Sequence, residues 1–171
     1  MGYIGSMTTK HNNGAAQRAV ALLRERPELA ALVLQAAEPE PETVCTPQAC
    51  FEVVFPLLAG RATEGLAVVA LNRRNRVIGR EVLTTGSDSY TVVDPRQVLR
   101  WALLQGRSGA ASIILAHNHP SGDESPSDQD REVTRRMAVA GRAVGIRLLD
   151  HLIVVDSGRF TSLAERGECS F

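Results

Sequence analysis

Residues 111 to 133 read ASIILAHNHPSGDESPSDQDREV: an apolar run, two histidines one residue apart, a polar turn and the start of a helix. In a strand, residues i and i+2 lie on one face. His117 and His119, at the end of the run Ala111 to Ala116, can therefore aim both imidazoles at one point. Two such nitrogens are half of a zinc site. Ten residues separate His119 from Asp130, and Ser127 stands three before that aspartate, giving His-x-His-x7-Ser-x2-Asp. The same residues admit a plainer reading. Ser127 and Asp130, ahead of the periodic Val133, Met137, Ala140 and Val144, are close to a capping box with Asp in place of the usual Glu or Gln. The histidines could be satisfied polar groups at a strand end. Capping by Ser127 and ligation by Asp130 need not exclude each other.

Outward from this stretch, the order of elements argues for an α/β layered domain with a mixed sheet. Thr46-Pro47 is an N-cap and first-turn proline for a helix with Ala49, Val53, Val54 and Leu57 as its apolar stripe, closed by Gly60. Gly65 to Leu71 has a buried-strand pattern, and the turn Asn72 to Asn75 leads to a second strand, Val77 to Leu83, predicting an antiparallel hairpin. Tyr90 to Val93 reads as a short strand. Asp94-Pro95-Arg96-Gln97 then starts a helix carrying Val98, Trp101, Ala102 and Gln105, with Gly106 as its stop. The single Trp reads as core. A helix from about Asp128 to Val144 stops near Gly145, and Ile146 to Val155 is β-rich, interrupted by Asp150 and His151. That pair reads first as partners for buried backbone or as a strand-end polar pair, and second as groups behind the metal histidines.

The 171 residues suffice for one well-buried domain and a short appendage. Residues 1–6, MGYIGS, read as left over from expression, ahead of a native Met7. Residues 7–42 read as a helical appendage, with helices from Ala15 to Arg26 and from Pro27 to Ala37, then the Pro/Glu linker Glu38 to Glu42. The appendage would suit partner binding or dimerisation. The main domain is expected over residues 43–171.

A hydrophobic share of 44% with 22% charged residues is ordinary for a soluble protein, and no apolar run approaches the ~20 residues that span a bilayer. With no signal peptide evident, the expected location is the cytoplasm. The formal charge is zero, so no bulk basic field draws nucleic acid; only local clusters, Arg73, Arg74, Arg76 and Arg131, Arg135, Arg136, bear on such binding. Nucleic-acid binding is expected to be weak or absent. Cys45, Cys50 and Cys169 are odd in number, lack zinc-knuckle spacing and suit free thiols in a reducing compartment.

The string of histidines, serine and aspartate resembles the metal signature of the JAMM (JAB/MPN) metalloprotease domain. HNHPSGD, followed by the Pro-Ser and the aspartate, with DPRQV before it and LLDHLIVV after, resembles the RadC branch of that family from about Thr46 to Ser162. The resemblance implies a JAB/MPN-like α/β fold. It also implies one Zn²⁺ held by His117, His119 and Asp130, with an open position for water. An upstream Glu is the family's general base; Glu64 matches by position, with Glu81 the runner-up. Ser127 matches the serine that stabilises the developing oxyanion. Asp123 and Asp128 are other oxygen donors, without the family spacing. The activity implied is hydrolysis of a peptide or isopeptide bond, with a peptide or ubiquitin-like protein as substrate. A DNA repair-associated role and a non-catalytic MPN scaffold are the alternatives. Full-length RadC relatives carry a larger helical region before this domain, for which this chain is too short, so the resemblance does not by itself carry over a DNA role resting on that region. A zinc deaminase would need H-x-E with P-C-x-x-C, and a zincin H-E-x-x-H; neither string occurs.

Overall fold

The computed structural model describes residues 42–85 and 94–168, together with 22, 25, 26 and 28. The chain divides into two units, residues 1–40 and 41–171, and the sheet belongs to the second. The expected strand at Tyr90 to Val93 and Cys169 lie outside the described residues, as does nearly all of the appendage. No helix among the described residues is long and apolar enough to cross a membrane.

Among the described residues from 42 to 168, three helices and five strands follow in the order α1 (Pro47–Leu58), β1 (Gly65–Leu71), β2 (Val77–Thr85), α2 (Pro95–Leu103), β3 (Ser112–Asn118), α3 (Asp128–Ala143), β4 (Arg147–Val154) and β5 (Phe160–Ser162). The sheet order is β2-β1-β3-β4-β5. β1 pairs antiparallel with β2 and β3, β3 parallel with β4, and β4 antiparallel with β5, which makes the sheet mixed, as expected. The parallel pair needs a crossover, and α3 supplies it.

β1 and β3 are buried along their whole length because helices cover both faces of the sheet. Leu66, Val68, Ala70, Ile113 and Leu115 face α2 and α3, packing on Val98, Ala102, Met137 and Ala138. The alternate residues Ala67, Val69, Leu71, Ile114 and Ala116 face α1, against Phe51, Val54 and Leu58. Period-two alternation therefore continues into the site: His117 follows Leu115 to the α3 side and Asn118 follows Ala116 to the α1 side.

The expected caps form. Thr46 accepts from the Ala49 amide, and Asp94 from the Arg96 amide, each with proline in the first turn. Trp101 is half-buried against the α2–α3 core. α3 lies close against the start of β4, since a Cβ at Gly141 would meet the Ile146 carbonyl. β5 has only three residues, too few to leave a period in the sequence.

β4 contains an irregularity. Leu148 pairs with Ile113, but Ile114 pairs with Asp150, so Leu149 is an extra residue. A one-residue slip reverses the facing of everything beyond it. Leu148 points to the α3 side, and after the bulge His151 does so too, opposite Leu115 and beside His117.

Candidate metal centre

His117 is the penultimate residue of β3 and Asn118 its last; His119 follows, its amide donating to Val154 O so that the strand geometry persists. The two Nε2 atoms lie 2.9 Å apart. Asp130, in the first turn of α3, brings Oδ1 to 3.1 Å from His117 Nε2 and Oδ2 to 3.7 Å from His119 Nε2. One donor atom from each of His117, His119 and Asp130 lies within 4.8 Å of the others, and this group could hold a metal ion.

The surroundings fit a cation. His119 Nδ1 lies 2.7 Å from the Asp123 carbonyl, which can only accept, so a neutral His119 has its proton on Nδ1 and its Nε2 lone pair turned inward. Asp130 is a full capping box. Its amide donates to Ser127 Oγ at 3.1 Å, while its Oδ2 accepts from Ser127 N at 2.8 Å and Ser127 Oγ at 2.6 Å. Burial opposes ionisation of Asp130, but the bond and charge of His117 and the Ser127 bonds outweigh it, holding the carboxyl well below the usual range. The capping and ligand readings are compatible: Ser127 ties down Oδ2, leaving Oδ1 nearest His117.

A cavity of about 320 Å³ opens onto these groups, and Glu64, Ser127, Gln129 and Val133 line it as well. Glu64 precedes β1, and Asn118 holds that segment: its Oδ1 accepts from Gly65 N at 2.8 Å and its Nδ2 donates to Thr63 O at 3.2 Å. The middle residue of His-x-His thus grips the backbone on both sides of the glutamate. Glu81 is absent from the lining, and its carboxylate accepts from Trp101 Nε1 at 2.6 Å. Of the other two acids, Asp123 lines the cavity and Asp128 does not. The Asp123 carboxylate accepts from Ser125 N at 2.9 Å, and Asp128 pairs with Arg131 at 3.2 Å with its side chain fully exposed.

Asp150 and His151 divide between their two readings. Asp150 serves backbone, accepting from His151 N at 2.7 Å and Ala164 N at 3.0 Å, and also from Ser162 Oγ at 2.6 Å. Burial is the leading cause of its raised pKa. His151 instead backs the site, with Nε2 2.9 Å from His117 Nδ1 and Nδ1 2.6 Å from Thr134 Oγ1. Burial first, and the neighbouring His117 second, push its imidazole well below the ordinary histidine pKa, so it is neutral. Asn118 and Thr134 were not legible as site residues. Their only signals are position: one between the two histidines, the other one helical turn after Asp130.

A mixed α/β sandwich with two histidines at a strand end and an aspartate at a helix start defines the JAB class of domain. The model of the RadC-like JAB domain matches residues 44–168, and the chain belongs to that family. Curated relatives include the UPF0758 protein STH371 of Symbiobacterium thermophilum, 47% identical over 124 residues, which cover 72% of this chain and 51% of that protein. The UPF0758 protein lmo1549 of Listeria monocytogenes is 41% identical over 140 residues, 82% of this chain and 61% of the relative. One from Methanosarcina acetivorans is 36% identical over 140 residues, 82% and 59%. The chain thus spans between half and about three-fifths of the length of these relatives.

Proposed function

We propose that the chain is a zinc-dependent hydrolase of JAMM type that cleaves a peptide or isopeptide bond. The observation that carries this is the convergence of His117, His119 and Asp130 on a cavity that Glu64 also lines. His117, His119 and Asp130 would hold the ion; when bound, Zn²⁺ supplies Lewis acidity, lowering the pKa of water towards ~7 and polarising a carbonyl.

The chain's own residues supply the rest. Glu64 takes a proton from the attacking water and returns it to the leaving amine nitrogen, so one carboxylate serves as base and then acid. Asn118 keeps it at the rim through Thr63 and Gly65. Ser127 has its hydroxyl proton on Asp130 Oδ2. We assign it first to orienting that carboxylate, and to the developing oxyanion only after its hydroxyl turns away from Oδ2. The substrate would be a peptide segment or a ubiquitin-like protein tail.

The test is to incubate the zinc-loaded chain with a panel of peptides and ubiquitin-like fusions, alongside Glu64→Gln. The wild type should cleave at least one; Glu64→Gln should keep its zinc and lose roughly two to four orders of magnitude in rate. Equal activity in the variant would remove Glu64 from the mechanism. If Glu81→Gln alone were inactive with zinc bound, the base would lie on β2.

A further inference from the structure

A connected set of hydrogen bonds runs behind the metal centre. Thr134 Oγ1 lies 2.5 Å from the Asp130 carbonyl and 2.6 Å from His151 Nδ1; His151 Nε2 lies 2.9 Å from His117 Nδ1. Each contact needs one hydrogen, and proton counting places them all. The Asp130 carbonyl can only accept, so the single Thr134 hydroxyl proton goes there. Thr134 Oγ1 must then accept from His151, which puts the His151 proton on Nδ1. A second proton on His151 would be an ion at a site 1% exposed, with no carboxylate bonded to it among the described residues. His151 Nε2 therefore accepts, and the donor facing it is His117 Nδ1–H. With its Nδ1 engaged in this way, Nε2 is the nitrogen that His117 turns towards His119 and Asp130.

We propose that His151 and Thr134 are positioning residues of the metal site, fixing His117 in the tautomer that offers Nε2 to a cation. The inference rests on the reading of His117, His119 and Asp130 as metal ligands. When both imidazoles hold their hydrogen on Nδ1 alone, His117 Nε2, His119 Nε2 and Asp130 Oδ1 are three acceptors turned to one point, and a cation between them satisfies all three. The relay also joins the two ligand-bearing elements. Asp130 reaches His117 through its side chain on the cavity side and, through its backbone carbonyl, Thr134 and His151, on the core side. A ligand histidine more often donates to a carboxylate or carbonyl. Here the acceptor is a neutral imidazole, which leaves His117 less electron-rich and adds no negative charge behind the ion.

The experiment has two measurements on the full chain. The first is imidazole ¹⁵N NMR of the metal-free wild type at neutral pH: His117 should carry a proton on Nδ1, and His151 a proton on Nδ1 with Nε2 bare. A His117 with Nδ1 bare, or a His151 with its proton on Nε2, would overturn the inference. This readout needs neither bound zinc nor activity, so it decides the relay even if the wild type fails to bind zinc, which would reject the metal reading instead. The second is zinc affinity by competition with a chromogenic chelator. Thr134→Val removes the hydroxyl at nearly constant volume and should weaken zinc binding by roughly 10- to 100-fold, the usual loss for a partner behind a ligand. Thr134→Ser, which keeps the hydroxyl, should restore binding. A folded Thr134→Val with wild-type affinity would contradict the role; should that variant not fold, the NMR result stands as the deciding one.

Discussion

At the residue scale, Asn118 shows how one side chain serves two elements. Lying between the histidines, its carboxamide faces the other side of the sheet and closes on the backbone at Thr63 and Gly65. Asn118→Ala leaves the Gly65 amide without its partner and should cost about 1–3 kcal/mol. Denaturant unfolding measures this, and the zinc affinity should change little, because no ligand is touched. An unchanged stability would show that water replaces the carboxamide. The cysteines give a second prediction. Burial, then the charge of Asp150, pushes the Cys50 thiol up to about 12, while Cys45 is exposed. Brief alkylation of the native chain at pH 8 should label Cys45 and leave Cys50 unmodified by peptide mapping. Early labelling of Cys50 would mean that α1 opens readily from the sheet.

At the element scale, the start of α3 joins stability to the site. Ser127→Ala removes the cap on the Asp130 amide and a bond to Asp130 Oδ2. It should destabilise the chain by about 0.5–2 kcal/mol and also weaken metal binding, since the carboxylate loses an anchor. Loss of stability with unchanged affinity would reduce Ser127 to a cap. The elements also show what the sequence can and cannot disclose. The hairpin, the caps of α1 and α2, the span of α3 and the convergence of the two histidines follow from local patterns: turn residues, N-cap with proline, and the two periodicities. The role of His151 does not follow. Counting in twos from Leu148 places residue 151 on the opposite face, and only the extra residue Leu149 turns it towards His117. A bulge depends on pairing with β3, so no local pattern announces it. Thr134 was hidden for a related reason, its bond to His151 joining a helix to a strand distant in sequence.

At the scale of the whole molecule, the metal and the fold should be linked. Three candidate ligands from two elements cannot converge in the unfolded chain, so zinc held as proposed would bind the native state preferentially. Free Zn²⁺ at about a hundred times its Kd should add roughly 2.7 kcal/mol of stability. Thermal melts with zinc and with excess chelator measure this; a melting temperature indifferent to both would contradict a site built from these elements. The zero net charge carries a separate expectation. Binding of labelled duplex or single-stranded DNA at physiological salt should be weak and fall steeply as salt rises. A sub-micromolar, salt-resistant complex would favour the DNA-associated reading over the hydrolase.

The central claim is that His117, His119 and Asp130 hold one zinc ion, and anomalous scattering from zinc-soaked crystals, measured on both sides of the zinc edge, tests it most directly. The prediction is a single strong peak per chain within bonding distance of His117 Nε2, His119 Nε2 and an Asp130 carboxylate oxygen, at ~2.0–2.2 Å. A peak elsewhere, or none at this site with zinc in excess, would contradict it.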